Sequence, residues 1–375
     1  MKIGYICSSN PFQDKKAWSG SIYKLRESIE NAGYEVVWIP YKSGSFKIRL
    51  VLYILRYFLR GKITAYMQNR WFYKLCANSI NEKSEKFQQC DCFFFPCGAQ
   101  IALFLKTDKP IFYYADASFK NMLNYYWKEV HPWIVKEANL LEWKAIHRAT
   151  INIRASKWAA DSVINDYGFD INRTFVLPLG PTLESKDLLP VDPYNGGILN
   201  VLFSGVEWER KGGDVAVKSV DRLNQLGIKA KLVIVGIREL PLEYKELPFI
   251  ECVGFLDKNV ENQYQQYIKT IKRCNILLLP TKAECAGIVF SEASAFGLPI
   301  FTYDTGGIGD YVFNGINGYR LPVGSNYVDF ADCIKRVIDS GEMLKLHQGG
   351  IQVYSQKLDW KVWSDSFREI IEKVI

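Results

Sequence analysis

The feature that most constrains the fold is a pair of short apolar runs joined by a loop and a helix of small residues. The runs are Cys274–Pro280 and Pro299–Tyr303, and each predicts a strand that is buried on both faces of a parallel sheet. A loop followed by a helix is the usual way to connect two parallel strands. A chain that contains this unit is expected to fold as an α/β protein.

Two carboxylates lie in this connection, Glu284 and Glu292. On one continuous helix they would point about 80° apart, so they converge only if Glu284 lies on the loop and Glu292 in the opening turns of the helix. Both are then at the carboxyl end of a strand, where open α/β sheets bind ligands. We therefore expect a ligand site here, with simple helix capping by the two acids as the alternative.

The rest of the chain repeats the alternation of strand and helix in two halves, and 375 residues suit two domains. Prolines, adjacent glycines and acids make residues 184–198 a predicted linker. The sequence therefore predicts two Rossmann-like domains, 1–190 and 197–357, with a C-terminal helix at about 358–375 that packs on the first. No G-x-G-x-x-G follows the first strand, which argues against a nicotinamide-dependent dehydrogenase.

Metal and redox sites are not expected. The nine cysteines show no metal-ligand spacing and the chain has three histidines, so we interpret the cysteines as free core thiols in a reducing compartment. No apolar run approaches the ~20 residues that span a bilayer, and the N-terminus lacks the long apolar region of a signal peptide. The sequence predicts a cytoplasmic protein.

Charge is unevenly distributed along the chain. Residues 1–200 carry 26 Lys or Arg against 18 Asp or Glu, whereas the remainder carries 21 against 22. On a helix over 46–60, Arg49, Arg56 and Arg60 would lie within about 40° of each other among apolar residues, which is typical of a helix at a membrane surface. We predict that about 46–74 contacts an anionic membrane on the inner face of the cell; a core helix with solvated arginines is the alternative.

A phosphate site is expected at the first loop of the second half. The loop starts at Gly205 and contains adjacent cations, Arg210 and Lys211, before a helix. Glycines let the backbone approach a ligand, and a helix N-terminus favours an anion by ~0.3–1 kcal/mol. Gly306 and Gly307 on a neighbouring loop offer further backbone amides. A solvated loop is the alternative interpretation of the two cations.

Taken in order, these motifs resemble the retaining, nucleotide-sugar-dependent glycosyltransferases of family 4. The pattern runs from Gly205-x4-Arg-Lys-Gly-Gly through Glu-x7-Glu to Gly297-Leu-Pro and Thr305-Gly-Gly-Ile. The resemblance implies the GT-B fold, in which two Rossmann-like domains face each other across a donor and acceptor cleft. The N-terminal half matches by layout, and Cys285-Ala286 departs from the aromatic residue that commonly precedes the glycine.

The resemblance also implies roles for single residues. Arg210 and Lys211 would bind the donor diphosphate and stabilise the charge on the leaving nucleotide. Glu284 would hold hydroxyls of the donor sugar, Glu292 would accept the ribose hydroxyls, and Asp116 would be the catalytic residue that faces the acceptor. Further donor contacts are implied for Gly20, Gly205, Gly287, Ile288 and Val289. No metal or other cofactor is implied, because the two cations already neutralise the diphosphate.

The function expected from the sequence is transfer of a sugar, with retention, from a nucleoside diphosphate sugar to a hydroxyl of a glycan or lipid-linked acceptor, in cell-surface polysaccharide synthesis. Two alternatives remain, a nucleotide-sugar epimerase of the same fold and a non-catalytic sugar- or nucleic-acid-binding protein. Nucleic acid is not expected as a partner, since the basic segment is too apolar for a surface that follows phosphates.

Overall fold

The computed structural model of the chain describes residues 1–42, 55, 65 and 67–374. The chain forms two compact units: unit 1 consists of Met1–Leu177 with Ser364–Ile375, and unit 2 of Pro178–Trp363. Arg49, Arg56 and Arg60 of the predicted basic helix lie outside the described residues. None of the helices within the described ranges is long and apolar enough to cross a membrane.

Unit 1 is built on a parallel sheet of six strands, counted over the described residues. The strands are β1 (Lys2–Cys7), β2 (Glu35–Pro40), β3 (Cys92–Pro96), β4 (Ile111–Ala115), β5 (Ile151–Arg154) and β6 (Thr174–Val176). They lie in the order β2-β1-β3-β4-β5-β6, so the chain starts at β1, moves outward to β2 and returns to β3 on the other side. Ligands bind at such switch points in open α/β sheets.

Helices connect these strands. They are α1 (Ser21–Asn31), α2 (Arg70–Asn78), α3 (Glu85–Gln88), α4 (Phe119–Met122), α5 (Pro132–Arg148) and α6 (Lys157–Asn165). Ser156 caps α6: its side chain accepts a hydrogen bond from the backbone N–H of Ala159 at 3.3 Å. The central strands β3, β4 and β5 are buried throughout, as their apolar composition requires of a sheet covered on both faces.

Unit 2 contains a second parallel sheet, also of six strands among the residues described. The strands are β7 (Leu199–Ser204), β8 (Ala230–Val235), β9 (Ile250–Gly254), β10 (Ile276–Leu279), β11 (Ile300–Tyr303) and β12 (Gly318–Leu321). Their order is β12-β11-β10-β7-β8-β9. The two parallel sheets with their connecting helices confirm the predicted α/β class.

The helices of unit 2 begin with a short one after β7. They are α7 (Trp208–Lys211), α8 (Gly213–Gln225), α9 (Glu261–Lys272), α10 (Ile288–Ala295), α11 (Tyr327–Asp339) and α12 (Met343–Val353). Part of the segment predicted as a linker packs on this unit: Leu183 and Leu188 are buried in its core, and the N–H of Val191 donates to the carbonyl of Phe296 at 3.0 Å.

The last helix, α13 (Trp360–Val374), begins in unit 2, and its residues from Ser364 onward belong to unit 1. Within unit 1, the ring of Phe367 is fully buried and meets Phe94 edge to face at 5.9 Å between ring centroids. The guanidinium Nε of Arg368 donates to the carbonyl of Ala32 at 2.9 Å. The end of the chain is thus held to unit 1 by both apolar packing and a hydrogen bond.

One strand was not expected from the sequence. Glycines at 315 and 318 predict a turn, which the structure has at 315–317, and the edge strand β12 then begins at Gly318. A Cβ atom built on Gly318 would lie 2.0 Å from the carbonyl oxygen of Ile300 on β11, so this register with β11 requires a residue without a side chain. Glycine is depleted in strands, which is why the pattern did not predict β12.

Candidate functional site

The carboxyl edge of the unit 2 sheet gathers the loops that carry the predicted site. Strands β11, β10 and β7 are neighbours, so the segments that follow them emerge side by side. After β7 the chain forms α7, and after β11 it forms a 3₁₀ turn, Gly306–Asp310. Between them lies the loop after β10, which leads into α10. The topology therefore brings the two cations and the two-acid segment to one edge.

Lys211 and Glu284 form a buried ion pair. The ammonium Nζ of Lys211 donates to Oε2 of Glu284, and the two residues are 8% and 9% exposed. Gly205 provides the space for this pair, because a Cβ at this position would lie 2.8 Å from Cγ of Lys211. Desolvating two charges is expensive even when they are paired, so a buried pair is weak evidence for stability. Its position at a strand end favours a functional role.

Arg210 lies beside this pair. Its Nη1 donates to the carbonyl of Ala283 at 2.9 Å and lies 4.0 Å from Oε2 of Glu284. Its Nε and Nη2 donate to the carboxylate of Glu207 at 3.0 and 2.8 Å, and this hydrogen bonding lowers the pKa of Glu207. The N–H of Lys282 donates to the carbonyl of Arg210 at 2.8 Å. The two loops are thus connected through both backbone and side chain.

The backbone of the acid loop is also fixed. The N–H of Gly307 donates to the carbonyl of Glu284 at 3.0 Å, which joins the loop after β11 to the loop after β10. Gly287 immediately precedes α10, whose first residues are Ile288 and Val289. A Cβ on Gly287 would lie 2.0 Å from the ring of Phe290. The predicted contacts of residues 287–289 with a donor would therefore come from the start of a helix.

Glu292 has a different set of partners. It is 1% exposed, and its Oε1 accepts from Lys258 Nζ at 2.7 Å and from Thr182 Oγ1 at 3.1 Å. Its Oε2 accepts from the hydroxyl of Tyr267 at 2.7 Å. Burial raises the pKa of Tyr267, and the negative charge of Glu292 adds to the shift, so this phenol stays protonated and continues to donate. The carboxylate is held by three hydrogen bonds within unit 2.

Sequence reasoning missed Lys258, Tyr267 and Thr182. Lys258 follows β9 by four residues and so lies near a strand end, which was the one available signal. Its ammonium also lies 4.3 Å from the ring centroid of Tyr267. Tyr267 is one of several apolar residues on α9, and nothing in the helical pattern distinguishes it from a core tyrosine.

Asp116 and Gly20, the two predicted site residues of the N-terminal half, lie in unit 1. Asp116 directly follows β4, and its Oδ2 accepts from the indole N–H of Trp18 at 3.3 Å. Trp18 and Ser19 have positive φ angles of 50° and 55°, and Gly20 ends the same 3₁₀ turn. Positive φ in non-glycine residues is strained and concentrates at functional sites. The strained turn that ends at Gly20 therefore contacts Asp116 through the indole of Trp18.

Among the residues that the structure describes, no three or more His, Cys, Asp or Glu side chains are arranged to hold a metal ion.

Comparison with known proteins adds to these observations. Residues 195–348 match the family model for glycosyl transferases group 1. A glycosyltransferase of Methanocaldococcus jannaschii is 26% identical over 208 residues, 54% of each chain. The chain spans about half the length of the curated relatives that it matches.

Solved structures resemble the whole chain. Sucrose-phosphate synthase from Thermosynechococcus elongatus aligns with a TM-score of 0.68 at 15% identity, covering 100% of this chain and 98% of that one. Anabaena HepE, solved in complex with UDP and glucose, aligns with a TM-score of 0.64 at 15% identity and covers 100% of both chains. At this identity the likeness shows the fold. The chain therefore has the α/β fold of GT-B glycosyltransferases, and its residues 195–348, which contain both acids and both cations, match the glycosyl transferases group 1 family.

Proposed function

We propose that this protein is a retaining glycosyltransferase of the family 4 type, which transfers a sugar from a nucleoside diphosphate sugar to a hydroxyl of a glycan or lipid-linked acceptor in cell-surface polysaccharide synthesis. The observation that carries the proposal is the buried pair of Lys211 and Glu284 beside Arg210, at the carboxyl edge of a parallel sheet. It lies within the segment that matches the group 1 family. The UDP and glucose bound by HepE support a nucleotide-sugar donor.

The proposed chemistry concerns the charge that appears on the leaving nucleotide. When the bond between the sugar and the diphosphate breaks, negative charge grows on the phosphate oxygen, and a fixed cation in a site with little water stabilises it strongly. Lys211 is held in place by its ion pair with Glu284, and the absence of a side chain at Gly205 leaves room for its aliphatic stem. Arg210 is fixed by Glu207 and the carbonyl of Ala283. Both cations are therefore positioned before the donor arrives, and no metal is required to neutralise the diphosphate.

We further propose that Glu284 binds hydroxyls of the donor sugar with its carboxylate, close to the reacting carbon. The carboxylate has two oxygens with about four acceptor positions, and Lys211 takes one on Oε2. Contacts to the donor from Gly205 and from the backbone at Gly287, Ile288 and Val289 complete this part of the proposed site.

The proposed role of Glu292 requires an exchange of partners. Ribose hydroxyls would donate to its carboxylate, yet Oε1 already accepts from Lys258 and Thr182. Lys258 is partly exposed, whereas Tyr267 is buried, so Lys258 is the partner that is able to leave. We propose that the ribose replaces the Lys258 ammonium while Tyr267 keeps the carboxylate in place.

For unit 1 we keep the roles that the resemblance implies, with Asp116 on the acceptor side and Gly20 at the donor phosphates. We also keep the proposal of a cytoplasmic protein that is peripheral on the inner face of the membrane, through about residues 46–74. The nucleotide sugar acts as co-substrate, and no cofactor is part of the proposal.

The test is incubation of the full chain with a panel of nucleotide sugars, with and without hydroxyl acceptors, followed by measurement of free nucleotide and of the anomeric configuration of the product. A retaining transferase releases nucleotide in proportion to acceptor and keeps the configuration. An epimerase converts the sugar while it stays attached to the nucleotide, and a binding protein changes neither. Lys211→Ala and Glu292→Ala are expected to lose donor binding and turnover; unchanged values in both would contradict the site.

A further inference from the structure

The surface of unit 1 carries a group of exposed tryptophans. The chain has ten tryptophans, all within the described residues, and the exposed ones are Trp71, Trp133 and Trp143, at 60%, 57% and 45%. All of them lie on α2 or α5. Leu140 of α5 is a further exposed apolar residue, at 52%. Single exposed apolar residues are ordinary, whereas several large ones on two neighbouring helices mark an interaction surface.

On α5 the apolar residues alternate with bases. Trp133, Lys136, Leu140, Trp143 and Lys144 are all exposed, and at 3.6 residues per turn they lie within about 100° of each other around the helix. They therefore form a single stripe along the outer face of this helix.

The second helix, α2, carries exposed residues of the same kinds. Its exposed residues include Arg70, Trp71 and Lys74. The backbone N–H of Arg70 donates to Oε1 of Glu137, in the middle of α5, at 2.9 Å. The N-terminus of α2 thus abuts α5, and none of the exposed residues on these two fully described helices is acidic. We call the exposed residues of α2 and α5 the Trp–Lys face.

We propose that the Trp–Lys face docks on an anionic lipid bilayer. Tryptophan prefers the membrane–water interface, where its ring is buried and its N–H stays hydrated. Lysine and arginine at the same level attract anionic headgroups, by about 1 kcal/mol for each charge near the surface. The Trp–Lys face supplies both kinds of contact on the same two helices.

Charge distinguishes this occupant from a second copy of the chain. A symmetric dimer would place the same face against itself, and the bases of α2 and α5 would then face like charges without an acid among the exposed residues of either helix. An anionic bilayer instead supplies the opposite charge. The Trp–Lys face gives the membrane partner of the proposed function a binding surface among the described residues. The inference rests on the proposed function only for the expectation that the acceptor lies at the membrane.

The test is flotation of the full chain with vesicles of phosphatidylcholine, with and without phosphatidylglycerol. The parent is expected to float with the anionic vesicles. Trp133→Gln with Trp143→Gln is expected to lower the partition coefficient by roughly 10²-fold, about tenfold for each ring that buries ~50 Å² of apolar surface. Lys136→Gln with Lys144→Gln is expected to lower it about 30-fold, and only for anionic vesicles.

Matched controls come from exposed residues of unit 2. Leu242 is 80% exposed, and Lys269 and Lys272 are exposed on α9; Leu242→Gln and Lys269→Gln with Lys272→Gln should float as the parent does. The proposal is overturned if the parent does not float, if the face variants float as well as the parent, or if the controls lose as much. It is also overturned if the face variants only break a dimer in sedimentation equilibrium, or only weaken binding to an oligonucleotide. Because no donor or acceptor is present, failure here leaves the proposed transferase activity intact.

Discussion

Replacing Lys211 with methionine tests whether the buried pair with Glu284 serves stability or chemistry. Methionine keeps most of the apolar stem and removes the charge, so Glu284, 9% exposed, loses the cation that hydrogen-bonds to it. Breaking a buried pair from one side costs about 3–5 kcal/mol. Because Nη1 of Arg210 remains 4.0 Å from Oε2 of Glu284, some compensation is retained. We expect a loss at the lower end, about 3 kcal/mol in the free energy of unfolding.

The double variant Lys211→Met with Glu284→Gln provides the decisive comparison. It removes the charge on both sides, so no buried charge lacks its partner and most of the stability should return. Differential scanning calorimetry of the full chain measures both effects. For a domain of about 150–250 residues, such as unit 2, each kcal/mol shifts the midpoint of thermal unfolding by about 2–4 °C. The single variant should therefore melt about 6–12 °C lower than the parent. Lys335→Met is the control, because its pair with Asp339 is solvent-exposed and is worth about 0–1 kcal/mol.

Activity is expected to behave differently from stability. Both variants lack the cation that stabilises the leaving nucleotide, so turnover should fall roughly 10²–10³-fold in each. If the double variant regained turnover together with its stability, the pair would be structural and the proposed chemistry would be wrong. If Lys211→Met melted with the parent, the inference from burial would be wrong instead.

Three further predictions concern groups whose surroundings the structure defines. Tyr267→Phe removes the hydrogen bond to Glu292, which should cost about 1–3 kcal/mol in calorimetry and raise the KM for the donor. Lys258→Met removes the partner that the ribose has to replace, so the Kd for a nucleoside diphosphate, measured by titration calorimetry, should fall by up to about tenfold; a rise would show that Lys258 itself binds the nucleotide. Burial raises the pKa of Cys7 to about 12, which lowers its reactive thiolate fraction at any given pH. Iodoacetamide at about pH 8 should therefore label the exposed Cys252 before Cys7, as followed by mass spectrometry. Labelling of Cys7 at the same rate would contradict its burial.

The strands were predictable because they are short apolar runs, and burial on both faces permits little else. The runs Cys274–Pro280 and Pro299–Tyr303 contain β10 and β11. The edge strand β12 was missed because it begins at Gly318, where a side chain would collide with the backbone of β11. No local sequence pattern reveals that contact. The membrane helix expected around Arg56 stays a prediction, since it lies outside the described residues.

The same distinction between local patterns and long-range contacts applies to the candidate site. The local pattern of apolar runs, glycines and charges was enough to predict that Arg210, Lys211, Glu284 and Glu292 follow strands of one parallel sheet, because periodicity and glycine positions are local properties. The pairing of the Lys211 ammonium with Glu284, and of Glu292 with Lys258 and other residues far away in sequence, depends on the folded chain and could not be predicted. Strand order sets which loops are neighbours, and side-chain packing sets which charges pair. Both depend on contacts between distant residues, and so the two acids, eight positions apart, acquire different partners.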